Sequence, residues 1–263
     1  MRDAGYEVRY GALEPRLLPV ESVLGAPDTR VLKESGHVTV AVVPSSAGAL
    51  VMKRFRDDGC VRILEVLGLG SSAHRVWRAA ALMDAAGFPV PKPIAALEQR
   101  RLGVPVRSCV VSRWIDGPPL DELWRSRQGA ARRALTIGFA DYLRRLHAAG
   151  LYPQDLRAAN VLVASENPPV FVLVDLDRVR RYRRLSWRRR RKNVVQVHRS
   201  VGRGAPRRES LRFLQRYLGK PRSTELRRIA DEIAVVGRRK DAEYARRRGL
   251  VPPRPEQTRS VRS

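Results

Sequence analysis

Between residues 29 and 55, three short apolar-rich runs separated by turn formers predict strands over 29–33, 37–43 and 49–55. The second is the plainest, with Val38, Val40 and Val42 on one side. The segments between them, Glu34-Ser35-Gly36 and Pro44-Ser45-Ser46-Ala47-Gly48, are short and rich in turn formers, so an antiparallel meander is the economical arrangement. From 71 to 86 the period lengthens to that of a helix, with Val76, Ala80 and Met83 on one face and Ser71 or Ser72 as its cap. Gly87-Phe88-Pro89-Val90-Pro91-Lys92-Pro93 ends it, because proline withholds a helix donor and disfavours helical geometry just before it.

Two more strands, at 94–97 and 108–114, complete a strand-rich first half, and Asp116-Gly117-Pro118-Pro119 connects it to a helical second half. Helices are predicted at 120–127 and 130–149, the longer one turning Ala134, Ile137, Ala140 or Asp141, and Leu143 or Leu146 inward. Near Asn160 the short period returns. Val161-Leu162-Val163 and Val170-Phe171-Val172-Leu173-Val174, joined by Ser165-Glu166-Asn167-Pro168-Pro169, read as a hairpin. Beyond 185 the chain is basic and mainly helical, with Leu211, Leu214 and Leu218 on one face and Leu226, Ile229 and Ile233 on another, up to a Pro- and Arg-rich tail from Val251.

At 263 residues the chain is long enough to bury a core without metals or disulfides. The two cysteines, Cys60 and Cys109, are too few and too isolated for a disulfide framework or a zinc site, which fits a reducing cytosol. The first residues lack the apolar run of a signal peptide, and no stretch approaches 18 uncharged apolar residues, so neither secretion nor a membrane span is expected. A formal charge of +26 points to an anionic partner: nucleic acid, lipid headgroups or a phosphorylated substrate.

The chemistry lies in Asp155-Leu156-Arg157-Ala158-Ala159-Asn160, followed after the hairpin by Asp175-Leu176-Asp177. Phosphoryl transfer needs a carboxylate to orient the acceptor hydroxyl and oxygen ligands to hold magnesium against the phosphates. A loop Asp, an Asn five residues on and an Asp returned by a hairpin supply both. Lys53, on the third predicted strand, is placed to hold the α- and β-phosphates.

These segments resemble the lipopolysaccharide kinase family. The catalytic loop of that family is similar to residues 150–163, its metal-binding segment to 174–180, and the stretch that follows to 191–200. Residues 71–80 and 86–93 also fit its pattern, so the similarity runs over about 35–200. The resemblance implies a protein-kinase-like α+β fold of two lobes, a small antiparallel sheet followed by a mainly helical lobe. It also implies transfer of phosphate from ATP, with Mg2+, to a Kdo or heptose hydroxyl of the lipopolysaccharide inner core.

On this reading Asp155 orients the acceptor and takes its proton, Arg157 neutralises the transferred group, Asn160 and Asp175 bind the metal, and Lys53 and Gly36 belong to the nucleotide site, with Asp177 a second acidic contributor. Three departures stand out. Pro153 occupies the position of the family's loop histidine; the helix glutamate that pairs with the strand lysine in protein kinases is missing, with Glu65 or Glu98 as substitutes; and Gly36 alone stands where a glycine-rich run is usual. Loss of activity, leaving a basic scaffold, and a different small-molecule or protein acceptor are the alternatives.

Residues 178–192 hold ten Arg or Lys in fifteen, with Tyr182 and Trp187 among them. They fit a surface that docks phosphorylated glycolipid, a solvated basic segment, or a nucleic-acid contact, although no nucleic-acid module accompanies them. His147 and His198 lack neighbours at metal-ligand spacing and read as packing or hydrogen-bonding residues. The division expected is an extension at 1–28, a nucleotide-binding lobe at 29–115, a catalytic lobe at 116–250 and a flexible basic tail at 251–263. The expected location is the cytoplasm, including peripheral contact with the anionic inner face of the inner membrane.

Overall fold

The computed structural model describes residues 5–46, 48–58, 65–66, 68–201, 206–219 and 221–247; Cys60 and the 251–263 tail lie outside them. In chain order the first strands are Glu7–Gly11 (β1), Arg30–Glu34 (β2), Val38–Val43 (β3), Leu50–Arg56 (β4), Pro93–Arg101 (β5) and Val104–Arg113 (β6). They form one antiparallel sheet in the order β1-β5-β6-β4-β3-β2. Its strands alternate as the pattern requires: Val43, Leu50, Met52, Leu97, Cys109 and Val111 lie on one face, closed over by Leu17 and Val20 at the start of the short helix Val20–Leu24 (α1). The opposite face, with Phe55, Ala96 and Val110, packs into the main core with the helix Ser72–Ala85 (α2).

Two features of this lobe differ from expectation. The described part of the expected extension, 5–28, is built into the lobe: β1 pairs with β5, and Leu17 and Val20 roof the sheet. β1 is a short edge strand with every residue exposed, so it carries little apolar signal. β5 and β6 run much longer than the apolar patches at 94–97 and 108–114. Leu102 and Gly103, both at positive φ, make a tight turn between them, and the Arg-rich strand ends project into solvent. Of the two serines expected to cap α2, Ser71 does so, its hydroxyl accepting from the His74 amide at 3.1 Å.

The helical lobe contains Leu120–Ser126 (α3), Gly129–Ala148 (α4), Trp187–Val201 (α5), Arg207–Leu218 (α6) and Ser223–Arg247 (α7). Between α4 and α5 run the small strands Leu151–Pro153 (β7), Val161–Glu166 (β8), Pro169–Leu173 (β9) and Val179–Arg181 (β10), with β8 paired to β9 as the expected hairpin and β7 to β10. The buried stripe of α4 is Leu135, Thr136, Phe139, Ala140, Tyr142, Leu143, Leu146 and His147, while Ala134 is exposed and Ile137 only half-buried. The helix is covered by α6 and by β9, which widens and rotates its inner face from the single stripe expected. Among the described residues no helix is long and apolar enough to cross a membrane.

Candidate active site

β4 registers Lys53 against Val40 of β3 and Val110 of β6, so all three side chains share the sheet face turned toward the main core. The lysine stem passes over the Phe55 ring, its ammonium 5.0 Å from the ring centre. That ammonium ends 2.5 Å from Asp175 Oδ1 and 3.7 Å from Asp177 Oδ1.

The other site residues come from the segment after α4. Gly150 starts it at φ 74°, and a Cβ there would lie 2.0 Å from the Tyr182 carbonyl oxygen, so only glycine allows the chain to pass. Asp155 follows β7, and a single 3-10 turn, Ala158–Asn160, leads into β8. The β8–β9 hairpin then brings the chain back: the Val174 amide donates to the Asn160 carbonyl at 3.0 Å, which seats Asp175 beside Asn160. The Asn160 side-chain amide lies 3.5 Å from Asp175 Oδ2 and 3.4 Å from the Asp155 carbonyl. Arg157 donates to Asp155 Oδ1 at 3.1 Å, and both side chains reach solvent. Gly36 stays outside this cluster, on the exposed β2–β3 turn with open space around it.

Burial pushes the Asp175 carboxyl up, but the Lys53 charge and hydrogen bonds from Asp177 and Lys53 outweigh it, so the net shift is downward. Asp177 moves the other way. Burial pushes it up to about 6, against the pull of Lys53 and with the Asp175 charge adding to the rise. The pair therefore holds one ionised and one readily protonated carboxyl against a single ammonium. Two carboxyls and an amide oxygen are hard oxygen donors of the kind magnesium takes. Among the described residues no three His, Cys, Asp or Glu side chains gather at metal-ligand spacing. An ion that keeps waters and binds phosphate oxygens needs only one or two protein ligands, so Asn160 and Asp175 fit it.

Residues 53–217, running from this lysine through the loop to α6, match the model of the lipopolysaccharide kinase (Kdo/WaaP) family. The chain belongs to that family. It is a kinase, a phosphotransferase of a group that acts on sugar hydroxyls, and ATP use follows from that membership. A solved structure described as "WaaP in complex with acyl carrier protein" superimposes with a TM-score of 0.63 at 21% identity, covering 90% of this chain and 98% of that one. That likeness carries the fold. A search of curated proteins finds no match.

In this lipopolysaccharide kinase the loop around Asp155 is held from α5. Gln196 Nε2 donates to the Gln154 carbonyl at 2.9 Å, and its Oε1 accepts from the Leu156 amide at 3.4 Å. One carboxamide thus holds the backbone on both sides of Asp155. Asn193 donates to the Pro153 carbonyl at 2.6 Å and to Gln196 at 2.8 Å, and Ser200 accepts from the Ala158 amide at 2.9 Å. Spaced by three and four, these residues line one face of the helix. Behind them His147 bridges Asn193 Oδ1 at 2.9 Å and the Tyr217 hydroxyl at 2.7 Å. The Asn193 amide nitrogen is committed to Pro153 and Gln196, so its oxygen accepts from His147 Nε2–H, and Nδ1 accepts from Tyr217. Burial pushes this imidazole down to about 4 despite the Asn193 bond, so it is neutral at ordinary pH.

Neither substitute for the helix glutamate reaches Lys53. Buried Glu98 pairs with Arg100 at 2.6 Å and Arg9 at 3.8 Å, and Glu65 lies 3.9 Å from Arg75. β5 places Glu98 two strands from β4, where cations from β1 and β5 neutralise it; Asp175 and Asp177 pair with Lys53 instead. Sequence reasoning also passed over Asp57. It is fully buried and accepts from the hydroxyls of Ser72 at 2.6 Å and Ser108 at 2.5 Å, tying the start of α2 to β6. A lone Asp after a strand gives no signal of this; only the two serines, distant in sequence, could have hinted at it.

Proposed function

We propose that this kinase transfers the γ-phosphate of ATP to a Kdo or heptose hydroxyl of the lipopolysaccharide inner core. The observation that carries the assignment of residues is the meeting of Lys53 with Asp175, beside Asn160 and the Asp155 loop. Lys53 binds the α- and β-phosphates, exchanging part of its hold on Asp175 for them. Asn160 and Asp175 hold Mg2+, which when bound neutralises phosphate charge. Asp155 orients the acceptor hydroxyl and takes its proton, and Arg157, already beside it, turns toward the transferred phosphoryl group. Asp177 steadies Lys53 from the other side at 3.7 Å.

The glycolipid approaches along the basic segment after Asp175. Several of its cations have internal work: Arg190 donates to the Tyr217 hydroxyl, Arg191 pairs with Glu232, and Arg189 stacks over Tyr182 at 4.2 Å. Arg183, Arg184 and Arg188 remain exposed next to exposed Trp187, a grouping suited to phosphates on an anionic lipid surface. This reading puts the kinase in the cytoplasm, held by charge at the inner face of the inner membrane.

The test is transfer of radiolabelled γ-phosphate from MgATP to dephosphorylated lipopolysaccharide. Label is expected with the wild-type chain and lost in Asp155→Ala and Asp175→Ala. Folded protein that labels no lipid, sugar or protein and binds no ATP would overturn the reading.

A further inference from the structure

We propose that Lys33 is a second phosphate ligand for the nucleotide, acting from the edge strand β2 beside Lys53. The inference rests on reading the cleft as an ATP site and adds a residue to it. Its basis is a register shift. β2 pairs Arg30 with Val42 and Val31 with Ala41, then skips Leu32, and pairs Lys33 with Val40 and Glu34 with Thr39. In an unbroken strand residues 30 and 33 point to opposite faces. The extra residue turns Lys33 over, so that it shares a face with Arg30 and Val40; re-aiming a side chain in this way is what a bulge does beside a functional site.

Val40 in turn pairs with Lys53 across β3 and β4. Lys33 and Lys53 therefore occupy one row on one face, two strand spacings apart, about 10 Å between backbones. Two extended lysine side chains at that separation can close on a triphosphate from either side. Arg30, on the same face, is already engaged over the Trp114 ring at 5.6 Å. Lys33 is exposed and, among the described residues, has no carboxylate within ion-pair distance.

The turn that follows β2 explains the need for such a residue. Gly36 has open space where a side chain would stand and lacks the positive φ that would demand glycine. The turn therefore shows none of the features of a glycine cradle that brings backbone amides against phosphates. An ammonium from the strand before it supplies the missing positive charge.

The full chain, Lys33→Met, Lys33→Arg and Lys53→Met are titrated calorimetrically with MgATP and with adenosine. Lys33→Met should weaken ATP about two- to fivefold, the range for one solvated charge contact, and leave adenosine unchanged. Lys33→Arg should recover most of the loss. Unchanged ATP affinity in Lys33→Met, with a clear loss in Lys53→Met, would discard Lys33 and keep the site. Equal losses for ATP and adenosine would make Lys33 a structural residue and overturn the proposal. A wild-type chain that binds no ATP would remove the nucleotide reading and Lys33 with it.

Discussion

Lys53 donates to Asp175 at 2.5 Å although 122 residues separate them, and this one contact joins the sheet to the hairpin that follows the catalytic-type loop. A cation already resting on the carboxylate keeps Asp175 ionised and keeps the two half-buried charges from standing alone.

Nucleotide binding should therefore depend on that carboxylate. At a MgATP concentration about 100 times its dissociation constant, binding adds about 2.7 kcal/mol, or about 5–10 °C in melting temperature for a chain of this size. Asp175→Asn should lose most of that shift. A variant stabilised as fully as wild type in a thermal-shift titration would remove Asp175 from the metal site.

The Gln196 clamp predicts a specific kinetic defect. Gln196→Ala should lower kcat about 10- to 100-fold while KM for ATP changes little, because the loop that carries Asp155 loses its aim and the phosphate side of the cleft is untouched. Steady-state kinetics at saturating acceptor read the split directly. An equal rise in KM for ATP would mean that the clamp supports the whole cleft.

His147 makes stability depend on pH. Its folded pKa of about 4 lies below its ordinary value, so the unfolded chain takes up a proton first as pH falls. The stability is whole above about pH 6.5 and is lost progressively down to about pH 4. The loss by pH 5 is about 2 kcal/mol, or about 4–8 °C in melting temperature. His147→Gln should flatten that part of the profile. Parallel pH profiles for the two proteins would show that His147 contributes nothing to it.

Asp57→Ala should destabilise the chain by about 2–4 kcal/mol, since it strands two buried serine hydroxyls and the first turn of α2. The midpoint of urea unfolding reports this. A midpoint within error of wild type would mean that the serines find other partners.

The residues of the proposed site, which the fold brings together, were legible because they lie in short local patterns. Asp155 and Asn160 share one loop, Asp175 follows an apolar hairpin, and Lys53 sits in an apolar-led strand just after a run of turn formers. What escaped was set by contacts between distant segments. Nothing near Asn193 and Gln196 announces that they will grip residues 40 and 42 positions away. The turnover of Lys33 depends on a skipped pairing at Leu32 that periodicity hides. β7 and β10 are three residues each and exist through pairing with one another. The Lys53 partners were misjudged because protein kinases supply a glutamate from the helix, whereas here both carboxylates come from the segment after the hairpin.

The span that identifies the family starts at Lys53, in the middle of β4, and so recognition and folding have different borders. A fragment trimmed to 53–217 would keep the Asp155 loop but lose β1, β2, β3 and the roof of Leu17 and Val20. Leu97, Cys109 and Val111 would then face water on an open, half-built sheet that invites pairing with its neighbours. The sheet that carries Lys53 is thus completed by residues outside the span that matches the family.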